Sequence, residues 1–376
     1  MNRAVQRFPL VTPHRLIALL YLVASFGMTL LTSALHFDRD PRSCLEAMLD
    51  GSAHRPFVTR RLVPDMIKTL THWTPQEWQV RVVQRIDPLP DPLPRLLLGR
   101  NRQAAFAHLL LVLSVWGCYW GVLWLWREMF QRLLTGQRNR AGPTDKMIRA
   151  GVWGLPLLGL ALVYPLLNWR HGVHLYDPAT LLLYTAALWL FMHGTNWLDG
   201  GFALQLTLLA FAAWHKETAV LLIVWWIIAQ AQSAREVRWH RVVWMLLVYL
   251  GVRLWLGWLY RGNPGTIVEF WLLKENLPFL ASIWTGFSGR HVRFLLILSI
   301  AIGLPAWGWR RKPLLLRRMM LAGLVVMGIP WLTFGILDEF RALLELYPLW
   351  LMLCMPGGYS LPSTTATAPS GMVNRS

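Results

Sequence analysis

The chain alternates long apolar runs with short connections that are mostly basic. A helix crossing the hydrocarbon of a bilayer needs about 20 apolar residues. Runs of that order fall at 16–36, 104–126, 150–168, 178–197, 242–260, 291–309 and 319–337, with a shorter one at 342–356. The stretch 202–231 differs, because His215, Lys216 and Glu217 sit at its centre. One straight helix would hold these ionisable side chains at mid-bilayer, which is costly. Two short helices, 202–214 and 218–231, put the triplet at a turn instead. Below the membrane surface, such a turn has to face a protein-lined cavity and not lipid. The pattern predicts an all-α polytopic membrane protein of about ten transmembrane helices, two of them short. Residues 1–356 read as a single transmembrane domain, and 357–376, rich in Ser, Thr and Pro, as a disordered tail. No internal repeat of fixed period is visible.

The first connection, 37–103, is long. From Thr59 to Leu70, the apolar residues Leu62, Val63, Met66, Ile67 and Leu70 recur at helical spacing, with Arg60, Arg61, Asp65 and Lys68 elsewhere on the wheel. This predicts an amphipathic helix lying on the membrane surface. A second such helix is expected at about 76–86, after which the Pro-rich piece 87–94 leads back to the membrane.

Composition sharpens the environment. Hydrophobic residues make up 55% of the chain and charged residues only 15%, where a soluble domain carries roughly a quarter. A disordered chain, a coiled coil and an ordinary cytosolic enzyme are excluded. The net charge is +18, with 37 Lys+Arg against 19 Asp+Glu. The basic residues sit between apolar runs and form no nucleic-acid footprint, so no nucleic-acid partner is expected. They group as Arg3, Arg7 and Arg15; Arg127 to Arg149; Arg235, Arg238 and Arg241; and Arg310 to Arg318. All of these fall on one side if 202–231 crosses twice or not at all. The positive-inside rule makes that side cytoplasmic, with both termini inside and 37–103 outside. The first run reads as a retained helix of a plasma-membrane (inner-membrane) protein. It is longer than a usual signal-peptide core, and its exit lacks a small-x-small site. Cys44, Cys118 and Cys354 form no disulfide framework and no CxxC pair.

Candidate chemistry gathers on the outer side. Asp38 and Asp40 directly follow the first span, Asp177 follows His171 and His174, and Glu339 and Arg341 precede the last span. Each has an ordinary alternative. Asp38 and Asp40 fit solvated headgroup-level charges, Asp177 a helix N-cap, and Glu339 with Arg341 a local ion pair. His171 and His174, with Asp177, form only a weak metal-ligand pattern. Arg253, half-way along its span, either snorkels or neutralises an anionic ligand. Lys216 and Glu217 favour function, since charges below the interface are rare. Together these residues suit a lipid-linked anionic substrate. A carboxylate can take a proton from an acceptor hydroxyl, and Arg and Lys can hold a phosphate.

On these elements the chain resembles the GT-C superfamily of integral-membrane glycosyltransferases. The similarities are the Asp after the first span, the long first loop with interfacial helices (56–86) and the broken pair at His215-Lys216-Glu217-Thr218. They extend to Glu339-Phe340-Arg341 ahead of Leu346-Tyr347-Pro348. Pro56 to Pro64 and Tyr176 to Leu183 also resemble stretches of bacterial multi-pass relatives of that superfamily. The resemblance implies a polyprenyl-phosphate-linked sugar as donor, membrane lipids as surroundings, and inverting transfer on the extracytoplasmic face in cell-envelope glycan assembly. It implies Asp38 or Asp40 as general base, with Asp38 preferred as nearer the membrane. Lys216, Arg341 and one of Arg60 or Arg61 would contact the donor phosphate, with Glu217, Glu339 and Asp177 beside them. Some members also use a divalent metal, for which His171, His174 and Asp177 would be the ligands; no other cofactor is implied. The competing classes are a polymerase or ligase acting on a lipid-linked oligosaccharide, a lipid-linked glycan transporter or flippase, and a non-catalytic membrane scaffold.

Overall fold

The computed structural model describes residues 13–34, 40–135, 145–167, 173–192, 201–232, 237–266 and 270–355. The described residues are helical, with no strand among them. In chain order the α-helices are α1 (Pro13–Ala34), α2 (Leu45–Asp50), α3 (Leu62–Trp73), α4 (Gln76–Ile86), α5 (Leu93–Leu98), α6 (Ala105–Thr135), α7 (Asp145–Leu167) and α8 (Asp177–Met192). They continue as α9 (Phe202–His215), α10 (Val220–Gln232), α11 (Trp239–Leu259), α12 (Leu277–Thr285), α13 (Gly289–Ala306), α14 (Leu314–Phe334) and α15 (Tyr347–Leu353).

Five of these, α1, α6, α11, α13 and α14, are long and apolar enough to cross a membrane; α7 to α10 contain shorter apolar helices. The long helices carry exposed apolar faces, such as Val243, Leu247 and Leu254 on α11 and Leu296, Ile300 and Ile302 on α13. Apolar surface exposed on this scale suits hydrocarbon as the solvent. The core is built around α6 and α8. Tyr119, Val122, Leu123, Trp126, Met129 and Phe130 of α6 are fully buried. Helix α8 is apolar all round and buried along most of its length, as such a helix must be.

One feature departs from the spans expected. The stretch 202–231 does break, but the last segment, 342–356, is not one continuous α-helix. It is a 3-10 segment over Phe340–Leu346, kinked at Leu343 (φ −104°, ψ 16°), followed by the seven residues of α15. Pro348 lies in the first turn of α15. It has no N–H to bond the carbonyl four residues back, so the chain enters α15 from a different, tighter turn. This segment is buried by protein. The amphipathic helices of the first loop form as α3 and α4, with α3 starting at Leu62 and not at Thr59.

Short ties hold the loops that carry the candidate residues. Arg55 N donates to Pro264 O (2.8 Å), and Asn263 Nδ2 donates to the carbonyls of Gly51 (2.7 Å) and Ala53 (3.0 Å). This clamp needs Gly265, whose φ is +89°; an added Cβ would lie 2.7 Å from Arg55 O. Arg253 does not line the cavity, although its Nη2 lies 3.8 Å from Oε2 of Glu217, which does. It donates to Thr59 O (3.2 Å), Thr59 Oγ1 (3.1 Å) and Ala213 O (3.2 Å), tying the first loop to the end of α9. Asn276 likewise ties α12 to the end of α14, donating to Leu332 O (2.9 Å) and Gly335 O (2.8 Å) and accepting from Leu337 N (2.8 Å).

Candidate functional site

The α9–α10 break is where the site begins. Lys216 is extended there (φ −155°, ψ 147°), and a 3-10 turn over Glu217–Ala219 leads into α10. His215 ends α9 fully buried, its Nε2 2.8 Å from Thr180 Oγ1 of α8. Tyr249 of α11 donates to Glu217 O at 2.8 Å. The turn is therefore pinned from two sides.

Around this break lies a cavity of about 350 Å3. Its charged lining combines Asp40, Arg42, Arg60, Asp177, Lys216, Glu217, Glu339 and Arg341, with Thr218 and Tyr176 beside them. Its apolar lining comes largely from the end of α14 and the turn after it: Met327, Pro330, Trp331, Phe334 and Ile336, together with Trp271. Pro330 lies inside α14 and interrupts its hydrogen-bond ladder. A volume of this size is in the range of small-molecule sites. One part of the lining suits a charged group and the other an apolar chain.

The charges are paired. Asp40 caps the 3-10 turn Pro41–Ser43, accepting from Arg42 N at 3.0 Å, and also takes Arg42 Nη2 at 3.0 Å. Arg60 holds Glu217 through Nη2 (2.5 Å) and Nε (3.3 Å), donates to the Tyr176 hydroxyl, and lies 4.7 Å above the Tyr176 ring. Burial opposes the Arg60 charge, but the Glu217 carboxylate and the Tyr176 oxygen outweigh it and hold the group above the ordinary range of arginine. Burial pushes the Tyr176 phenol up as well, against the pull of Arg60. Arg341 pairs with Glu339, and its Nη1 lies 3.6 Å from Asp177 Oδ2. Lys216 Nζ lies 2.6 Å from Glu345 Oε1, which also accepts from Thr218 Oγ1 at 2.8 Å.

Asp38 and His171 lie outside the described residues. Arg61 does not line the cavity: it is buried against Asp65, the Met48 carbonyl and the Tyr260 ring (5.4 Å). The Asp177 carboxylate turns back to accept the His174 backbone N–H at 2.9 Å instead of capping α8. His174 lines the cavity, but its ring stacks on Tyr176 (5.0 Å) and packs against Phe57 (5.3 Å). Its Nδ1 faces Ser43 Oγ at 3.4 Å. Among the described residues no three His, Cys, Asp or Glu side chains converge as a metal set. With those engagements, His174 and Asp177 do not fit a metal centre between them.

Arg42 and Glu345 are not among the residues the sequence singles out, and Thr218 enters there only as part of the His215-Lys216-Glu217-Thr218 turn. Glu345 had a signal: it is an acidic residue inside an apolar run, and such residues are functional candidates by default. Arg42 had none beyond its place two residues after Asp40. No protein-family model, no curated protein and no solved structure matches this chain.

Proposed function

We propose that this cavity is the catalytic centre of a membrane glycosyltransferase of the GT-C kind, using a polyprenyl-phosphate-linked sugar on the extracytoplasmic face for cell-envelope glycan assembly. One observation carries the reading. Asp40, Arg60, Asp177, Lys216, Glu217, Glu339 and Arg341 come from distant segments, yet all line one cavity that also has an apolar part. A lipid phosphate with an attached sugar needs that combination of cations, carboxylates and apolar surface.

In this reading the Asp40 carboxylate takes the proton of an acceptor hydroxyl, with Asp38 as the other candidate base. The hydroxyl oxygen attacks the anomeric carbon from the face opposite the phosphate, and the bond from that carbon to the phosphate oxygen breaks. The polyprenyl phosphate leaves with the electron pair, held by Lys216, Arg341 and Arg60. A donor fixed before the reaction, as Lys216 is by Glu345, stabilises the developing charge without reorganising. The orientation that puts this end of the bundle outside rests on the positive-inside pattern.

The test is direct. The purified chain, reconstituted in vesicles, is given a polyprenyl-phosphate sugar labelled in the sugar, together with envelope glycan fractions. The expected result is transfer of label to an acceptor with release of polyprenyl phosphate. Movement of the labelled lipid across the vesicle membrane without covalent change would replace this reading with transport.

A further inference from the structure

Three of the cations lining the cavity are matched by carboxylates that line it too. Arg42 pairs with Asp40, Arg60 with Glu217, and Arg341 with Glu339 and Asp177. An anion reaching any of these guanidinium groups has to compete with a carboxylate at the same surface. Lys216 is arranged differently. Its partner Glu345 is fully buried and is not among the lining residues, while Lys216 itself lines the cavity and is buried to within 7%. The carboxylate paired with this ammonium is thus no part of the surface a ligand would meet.

Glu345 is held in place from its own side. Its Oε1 takes both Lys216 Nζ (2.6 Å) and Thr218 Oγ1 (2.8 Å), and Thr218 in turn accepts from the Tyr184 hydroxyl at 3.3 Å. Its other oxygen, Oε2, is buried with no hydrogen-bond partner among the described residues. A carboxylate that leaves half of its acceptors unused in an apolar interior is expensive. It is not explained as generic packing, because an apolar side chain would fill the same volume at lower cost.

We propose that Glu345 is a positioning residue: from behind the cavity wall it holds the Lys216 ammonium at the surface, where it meets an anionic headgroup without displacing a lining carboxylate. Lys216 is then the first point of capture for the anion, and the arginines join as their carboxylates give way. The inference deepens the reading of the cavity as a lipid-phosphate site and rests on it for the identity of the anion. The pairing of Glu345 with Lys216 is tested separately.

The experiment uses the full chain purified in lipid nanodiscs, with farnesyl phosphate as the probe and farnesol as its uncharged control. Glu345→Gln is expected to weaken farnesyl phosphate binding by about tenfold or more, the scale of one charge-assisted contact, and to leave farnesol binding unchanged. Glu345→Asp, which keeps the charge, should restore most of the loss. Added to Lys216→Met, Glu345→Gln should have no further effect on phosphate binding. Wild-type affinity in Glu345→Gln, or a loss that adds in full to that of Lys216→Met, overturns the proposal. Thermal unfolding supplies the arm that needs no ligand. Lys216→Met/Glu345→Met should be at least as stable as the less stable single variant, since removing both charges avoids leaving one uncompensated. Losses that simply add overturn the pairing even if Glu345→Gln does not fold well enough for binding. A wild-type chain that binds farnesyl phosphate no better than farnesol refutes the lipid-phosphate reading, whereas the stability cycle still reports on the pair.

Discussion

Asp40→Asn separates the chemical role proposed for Asp40 from its structural one. Structurally, Asp40 caps the turn Pro41–Ser43 through a bond from Arg42 N at 3.0 Å. Asparagine caps about as well as aspartate, so this bond survives. The substitution also removes the ion pair with Arg42, whose side chain is 39% exposed. A pair that open to solvent contributes at most about 1 kcal/mol. Folding should therefore be almost unaffected, with a melting temperature within a few degrees of wild type. Chemically, the amide cannot accept the acceptor's proton. Loss of a general base costs about 10²–10⁴ in rate, or about 3–5 kcal/mol of barrier. The expected outcome is a kcat lower by that factor with a nearly unchanged KM for the donor, measured as the initial rate of labelled-sugar transfer. Asp40→Ala should lose the same activity and also about 1 kcal/mol of stability through the missing cap. A kcat for Asp40→Asn within about threefold of wild type, in folded protein, refutes the assignment; a collapse confined to Asp38→Asn moves the base to that residue.

Arg253→Met removes donors to Thr59 O, Thr59 Oγ1 and Ala213 O and should cost about 3 kcal/mol of stability, since bonds from charged donors are worth about 1.5–3 kcal/mol each before compensation; an unchanged unfolding midpoint would count against the tie. Arg60→Met and Arg61→Met, although adjacent, should part company: the first loses affinity for a lipid phosphate, whereas the second loses stability and leaves affinity per folded molecule unchanged, as binding and thermal unfolding run side by side will report. Gly265→Ala should strain the clamp on residues 51–56 by about 1–2 kcal/mol, seen as faster limited proteolysis in that loop; wild-type protease resistance would show that the backbone at 265 is free to move.

The sequence already carried the broken pair, because Lys216 and Glu217 interrupt an otherwise continuous apolar run and lipid does not accept them. It also carried the amphipathic helices, through spacing alone. It did not show that Arg60 and Arg61 part company. That depends on how the 3-10 turn Phe57–Thr59 passes into α3, and it leaves Arg60 beside Tyr176 while Arg61 packs under Tyr260. Hydropathy likewise hid Glu345 inside a stretch that looked like one more span. The stretch is a buried 3-10 segment joined at Tyr347 to a short helix, and window averages do not register a change of helix type. For Asp177 the sequence offers two uses, a site residue and a helix N-cap. Its actual partners, the His174 N–H and Arg341, depend on how the loop folds back.

The order in which the chain is made gives the late segment 338–346 a particular importance. Thr218 meets Glu345 127 positions further along, and Arg341, which faces Asp177, lies in the same late stretch. Until that stretch emerges from the ribosome, Lys216 lacks Glu345 and Asp177 lacks Arg341. Assembly of this charged wall is thus completed late: segment 338–346 brings ion-pair partners to Lys216 and Asp177, residues made much earlier in the chain.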